Sequence, residues 1–146
     1  MRLLARRDSG RAELRARLVA RGGDASDVDR VLDELVREGY VSDDRYAEAL
    51  VAGQAGRDAK RAIARTLKER GIDTDAAARA LAPLDARDEL EEARALWAKR
   101  YGAAPRDERD KARQFRFLVS RGYPASIALK VLREAGALID DESAQL

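Results

Sequence analysis

The chain has 146 residues, with 29 Lys+Arg against 27 Asp+Glu and neither cysteine nor histidine. That length fits one compact domain or a string of small repeats and leaves little room for a separate catalytic module. The missing residue types remove thiolate nucleophiles, disulfides, zinc ligands and the commonest acid–base catalyst, while 38% charged and 5% aromatic residues favour helices with charged outer faces and aliphatic cores.

The opening Met1-Arg2-Leu3-Leu4-Ala5-Arg6-Arg7-Asp8 lacks the apolar core of a secretory signal, and nowhere do 18 apolar residues run together. A soluble cytoplasmic protein is expected, with no membrane partner. Apolar spacing predicts a first helix through Leu14 and Leu18, ended by Gly22 in the left-handed position beyond a helix, with Arg21 near the negative end of the dipole. Ser26 with Asp29 reads as a capping box for the second helix, and Asp43 or Asp44 as the cap of a third, from Arg45 to about Ala55.

The middle of the chain repeats this plan. Ile63 and Leu67 form the apolar stripe, Arg70-Gly71 the stop and Thr74 the next cap, and Asp85 or Asp88 starts a helix reaching roughly Tyr101. Gly102-Ala103-Ala104-Pro105-Arg106-Asp107 interrupts the pattern and reads as a linker at which the array can bend. Beyond it come Leu118, Arg121-Gly122 and Pro124, the last suited to a first helical position. Gly136-Ala137-Leu138-Ile139-Asp140-Asp141 then echoes Gly39-Tyr40-Val41-Ser42-Asp43-Asp44.

Aligned on Gly22, Gly71 and Gly122, the copies share Leu-x-x-Arg-Gly, a second leucine ten residues on (Leu32, Leu81, Leu132) and a basic residue seven before the first leucine (Arg11, Lys60, Lys111). Such a period is the mark of a repeat array. The expectation is an all-α, elongated chain of tandem three-helix repeats: unit 1 over 1–55 with a short N-terminal stub, unit 2 over 56–101, a linker at 102–107, and a truncated unit 3 over 108–146.

Charge alternates along the chain. Segments 1–22, 56–72 and 99–123 are net positive, and those between and after them net negative. Each repeat therefore has a basic first helix, and in the middle one Arg57, Arg61, Arg65 and Lys68 fall opposite Ala59, Ile63, Thr66 and Leu67. Two readings stay open. The stripes bind phosphates or an acidic protein surface, or they pair internally with the acidic helices, each pair being worth roughly 0–1 kcal/mol. Three similar basic helices favour binding, since a periodic array suits a periodic partner. The candidate partner- or DNA-binding residues are Arg11, Arg15, Arg57, Lys60, Arg61, Arg65, Lys68, Lys111, Arg113 and Arg116.

Asp43-Asp44, Asp140-Asp141 and the acidic run Asp88, Glu89, Glu91, Glu92 read as helix caps and first-turn charges, not as metal ligands. No Gly-rich phosphate loop accompanies them. Trp97 and Phe115 are assigned to the core, and Tyr46 and Tyr123, beside turn or cap residues, are expected to be partly exposed. No catalytic residue, metal or other cofactor is expected.

Three segments, Ala5-Arg6-Arg7-Asp8-Ser9-Gly10-Arg11-Ala12-Glu13-Leu14, Gly39-Tyr40-Val41-Ser42-Asp43-Asp44-Arg45-Tyr46-Ala47 and Phe117-Leu118-Val119-Ser120-Arg121-Gly122-Tyr123, resemble the RecX regulatory proteins in order and spacing. The resemblance runs essentially end to end. It implies repeated three-helix units that lodge in the groove of the RecA filament on single-stranded DNA and inhibit its strand exchange, ATPase and co-protease activities, by occupancy and not catalysis. It further implies a DNA-repair and SOS-response setting and a monomeric regulator. Two departures stand out: few residues precede Ser9, so the family's N-terminal helix is expected to be short, and its tryptophan is missing around Ala86-Arg87. The rival from another class is an independent helix-turn-helix-like nucleic-acid-binding protein, because paired helices with tight glycine turns can set a basic helix on DNA. A metal-dependent hydrolase using the acidic pairs is the weakest alternative.

Overall fold

The structure, a computed structural model, describes the backbone of residues 10–144 and side chains as far as Gly136. The N-terminal stub and the side chains of the Asp140-Asp141 pair lie outside those limits. Eight α-helices occupy the described residues: α1 Arg11–Ala20, α2 Ala25–Arg37, α3 Asp43–Gln54, α4 Lys60–Glu69, α5 Thr74–Leu81, α6 Glu89–Arg100, α7 Glu108–Ser120 and α8 Ala125–Ala144. A 3-10 turn, Ala82–Ala86, joins α5 to α6, and no strand occurs among these residues. The chain packs as two compact units, one of residues 10–54 and 63–83, the other of 55–62 and 84–144.

The Leu-x-x-Arg-Gly pattern is the covalent form of one helix stop used three times. Gly22, Gly71 and Gly122 have φ of +98°, +70° and +98°, the left-handed region that costs an L-residue with a side chain about 1–2 kcal/mol. The residue after each glycine donates its N–H to the carbonyl of the motif's leucine: Gly23 to Leu18 at 3.1 Å, Ile72 to Leu67 at 3.1 Å and Tyr123 to Leu118 at 3.2 Å. The glycine N–H bonds the next carbonyl along, Val19, Lys68 or Val119, at 3.0 Å each time. These paired bonds satisfy carbonyls that a helix end would otherwise leave unpaired.

In all three copies two residues separate the glycine from the next helix, which begins after Asp24, Asp73 or Pro124. This corrects the caps read from the sequence. Asp24 accepts from the Asp27 N–H and Asp73 from the Ala76 N–H, so Ser26 and Thr74 lie inside α2 and α5. The tight turn leaves only these aspartates outside the helix, where their charge also faces the positive dipole end. Pro124 likewise immediately precedes its helix. Ser42, not Asp43 or Asp44, caps α3, its hydroxyl accepting from the Arg45 N–H at 3.2 Å. Asp88 does cap α6, accepting from Leu90 and Glu91.

In the first unit Leu14, Val28, Leu32 and Val41 form a buried cluster with Leu18 and Leu35 against it, and α3 packs on α5. Asp43 holds that unit together. One carboxylate oxygen accepts from the Arg11 N–H at the start of α1, the other from the Asp73 N–H before α5, both at 3.0 Å. Gly10, which precedes α1, is buried so closely that a Cβ there would meet Ile72 Cδ1 at 2.7 Å. Tyr46 is buried rather than partly exposed, and its hydroxyl accepts from the Arg70 guanidinium at 3.2 Å.

The second unit's core joins Ala59, Ala93, Leu118, Tyr123, Ala128 and Val131, with Trp97 and Phe115 packed against it as expected. Tyr123 again departs from expectation, being only 2% exposed. The turn that places it docks on the segment before α4, where the Ala59 N–H donates to the Arg121 carbonyl at 2.8 Å. The 102–107 segment is pinned within this unit. Gln114 accepts from the Trp97 indole at 2.7 Å and donates to the Ala103 carbonyl, while buried Asp110 accepts from the Arg106 N–H at 3.1 Å.

Two of the glycine turns also need the side chain to be absent. A Cβ on Gly71 would lie 2.8 Å from Ala12 Cβ, and one on Gly122 would lie 2.7 Å from Ala62 Cβ, whereas Gly22 has open space. Gly71→Ala and Gly122→Ala should therefore each lose about 2–5 kcal/mol, combining the left-handed cost with overpacking, and Gly22→Ala about 1–2 kcal/mol. Urea unfolding of the three variants checks that ranking; equal losses would show that the alanine contacts do not matter.

Tyr123 yields a second expectation. Burial, with smaller contributions from Glu92, Glu89 and Asp58, pushes its phenol up to about 12, above the unfolded value of about 10. The neutral phenol thus contributes stability that is complete below about pH 10 and is lost as pH rises through the folded value. Its hydroxyl has no hydrogen-bond partner among the described residues. Tyr123→Phe should gain about 1 kcal/mol at neutral pH and lose less stability between pH 10 and 12, as read from urea midpoints against pH.

Candidate functional site

The ten basic residues singled out from the sequence divide sharply by their neighbours. Four are engaged within their own compact unit. Arg11 donates to Asp33 at 2.9 Å and to Asp29 at 3.3 Å, and Arg15 to Asp29 at 2.8 Å. Lys60 pairs with Asp85, and Arg113 with Asp110. Internal pairing therefore accounts for part of the alternating charge, since Asp29, Asp33 and Asp85 all come from the net-negative segments.

Titration follows these contacts. The hydrogen bond from Arg15 holds the Asp29 carboxyl below the usual carboxylate range, against an opposing effect of desolvation, and raises Arg15 in turn. Asp110 is also lowered, first by the Arg106 backbone N–H and then, against desolvation, by Arg113. Asp44, offered by the sequence as a cap or metal ligand, instead holds Arg79 through two hydrogen bonds of 2.9 and 3.2 Å. Among the described residues no group of three or more Asp or Glu is placed to hold a metal ion.

The other six, Arg57, Arg61, Arg65, Lys68, Lys111 and Arg116, are exposed and have no ion-pair partner among the described residues. Arg61, Arg65 and Lys68 follow one another on α4 at intervals of four and three, the spacing of neighbours on a helix surface. Opposite them Ala59, Ile63 and Leu67 are at most 1% exposed. The core face anchors the helix, and the cations keep their hydration and their reach.

Sequence reading missed a second cationic site in the second unit. Arg57, Lys99, Arg100 and Arg121 surround a groove of about 260 Å³ floored by Leu96 and Phe117. The Arg121 guanidinium lies 5.3 Å from the Phe117 ring centroid and that of Arg100 5.8 Å from it, with Arg100 also 5.5 Å from Tyr101. Tyr101 meets Phe117 edge to face at 5.6 Å. The run Lys99-Arg100-Tyr101 and the thrice-repeated arginine before glycine were the available signals, but each had an adequate local explanation as helix-end charge. Three segments distant in sequence have to meet before a groove exists.

Comparison with known proteins gives a consistent picture. Residues 42–81 match the family description "RecX, second three-helix domain" and residues 87–132 "RecX, third three-helix domain". Both ranges open on the helix that the repeat pattern places third in the preceding unit, α3 in one and α6 in the other. The chain is 37% identical to the regulatory protein RecX of Chromobacterium violaceum over 95% of this chain and 88% of that one. It is 40% identical to that of Pseudomonas savastanoi pv. phaseolicola over 93% and 88%. In fold it resembles the crystal structure of RecX from Lactobacillus salivarius, with a TM-score of 0.68 at 19% identity, covering 93% of this chain and 91% of that one.

Proposed function

The chain belongs to the RecX family, and on that premise we propose that it lodges on the RecA filament formed on single-stranded DNA and restrains it through the free cationic face of α4 and Arg57, three residues before it. It is a regulatory protein, a modulator of RecA, and not an enzyme. Regulation is by occupancy. A chain seated on the filament blocks strand exchange, ATP turnover and co-protease function without transforming anything itself. Acting on a DNA filament, it works in the cytoplasm as a monomer; no helix among the described residues is long and apolar enough to cross a membrane.

The observation that carries the assignment is the division of the candidate cations. Arg11, Arg15, Lys60 and Arg113 already have carboxylates to neutralise them, so a partner would have to displace an existing pair to use them. Arg57, Arg61, Arg65 and Lys68 need no such exchange. Clustered arginines facing an acidic surface or phosphates give charge-assisted, often bidentate contacts, and Lys111 and Arg116 on α7 are free to add to them.

The quadruple variant Arg57→Ala, Arg61→Ala, Arg65→Ala, Lys68→Ala removes only exposed side chains and should keep its helical circular dichroism. It should need about tenfold or more protein to half-suppress RecA's DNA-dependent ATPase, because several charge-assisted hydrogen bonds to the partner disappear at once. It should also co-sediment poorly with RecA on single-stranded DNA. A folded variant as inhibitory as its parent would move the contact elsewhere on the molecule.

A further inference from the structure

We infer that a groove between the start of α7 and α8 is a docking seat for an acidic segment of another protein, one that carries a bulky apolar residue beside its carboxylates. The groove, of about 510 Å³, has Pro105, Leu129 and Leu132 as its apolar lining and Arg106, Lys111 and Arg133 as its cations. Of these residues the filament reading uses only Lys111, and only in a supporting part.

The internal repeat shows what the groove lacks. The basic residue eleven places before each turn glycine is Arg11, Lys60 or Lys111. In the first copy Arg11 meets Asp29 and Asp33, and in the second Lys60 meets Asp85. Those acids stand seven, eleven and fourteen residues after the glycine of their copy. In the third copy the same places hold Leu129, Arg133 and Gly136, and all of them line the groove together with Lys111. The third copy therefore keeps the cation and omits the acid. Lys111 and Arg133 are exposed and have no ion-pair partner among the described residues. Arg106 is 85% exposed and reaches Asp110 only at 4.0 Å. Of the two carboxylates in the lining, Asp107 is committed to the first turn of α7, where it accepts from the Asp110 N–H at 2.7 Å. Glu108 offsets one cation, so positive charge remains in surplus.

Surface chemistry narrows the partner. Where the first copy has the ion-paired Asp29, the third presents Leu129, an aliphatic side chain that is 40% exposed. An apolar side chain docked against Leu129 and Pro105 removes apolar surface from water on both partners. Carboxylates beside it then meet Lys111 and Arg133, as Asp29 and Asp33 meet Arg11 within the first copy. Such contacts are charge-assisted, and with an arginine often bidentate. Nucleic acid brings phosphates but no aliphatic side chain for Leu129, and no aromatic residue lines the groove for a base to stack on. A protein segment with a carboxylate next to a large apolar residue matches both halves of the groove.

The test is fluorescence anisotropy of the full chain with a short labelled peptide of alternating aspartate and leucine. Replacing the peptide's leucines by serine should weaken binding about tenfold or more, the effect of leaving an apolar side chain out of the groove. Leu129→Asp with Arg133→Asp restores the acids of the first copy and gives Lys111 an internal partner. That rebuilt variant should bind the leucine peptide about tenfold or more less tightly than its parent. Lys111→Ala alone should weaken binding several-fold and make it less sensitive to salt. These side chains are exposed, and circular dichroism confirms that the variants fold. The proposal is overturned if the parent fails to bind the leucine peptide, if the serine peptide binds as tightly, or if the rebuilt variant binds like its parent. It is equally overturned if a single-stranded thymidine oligomer displaces the peptide as well as unlabelled peptide does. Sedimentation of the parent at rising concentration reads the remaining occupant: self-association that the rebuilt variant abolishes would make the seat an interface between copies of this chain and overturn the assignment to an outside partner.

Discussion

A residue without a side chain, held at positive φ at the end of a helix, is the constraint on which the rest of this structure depends. Gly22, Gly71 and Gly122 each close a first helix with the same two hydrogen bonds and release the chain into the next helix three residues later. At Gly71 and Gly122 the absent Cβ also lets a neighbouring alanine come within contact distance. The conformational requirement and the packing requirement fall on one atom, which makes the turn a joint as well as a stop. The residues just beyond each turn inherit their positions from it: the caps at Asp24 and Asp73, and the buried Ile72 and Tyr123.

Polar contacts complete what the turns begin. Asp43 sits in the first turn of α3, yet its carboxylate serves the backbone at the starts of α1 and α5. This one side chain ties three elements of the first unit together. In the second unit Trp97, Gln114 and Asp110 do the same for the segment 102–107, which is irregular in backbone but fixed by hydrogen bonds. Buried polar groups are stable only when satisfied, so both networks hold a specific arrangement as well as adding stability.

The same acids determine which cations remain for a partner. Asp29, Asp33, Asp85 and Asp110 neutralise four of the ten basic residues that the charge pattern highlights. The exposed face of α4 keeps its charge because the chain places no carboxylate against Arg61, Arg65 or Lys68 among the described residues. Around Phe117 cations from separate segments gather at helix ends above an aromatic floor. A regulator that acts by occupancy needs surfaces of this kind, charged yet not committed internally.

The sequence by itself determined what depends on neighbours along the chain: helix periods, the left-handed glycines, the apolar stripes of Leu14, Ile63 and Leu67, the placing of Trp97 in the core, and the family. These are short-range matters, because a hydrogen bond from one residue to another five back is a property of local dihedral angles. Its errors were also local in scale, as with Ser26 and Thr74, where competing acceptors stood one or two residues away. Only the tertiary structure decided which charges find partners, that Asp43 serves two helices other than its own, that Tyr46 and Tyr123 are buried, and that Arg57, Lys99, Arg100 and Arg121 share a groove. Those outcomes turn on distances between residues many positions apart, and Coulombic and packing energies depend on such distances while the order of residues leaves them open.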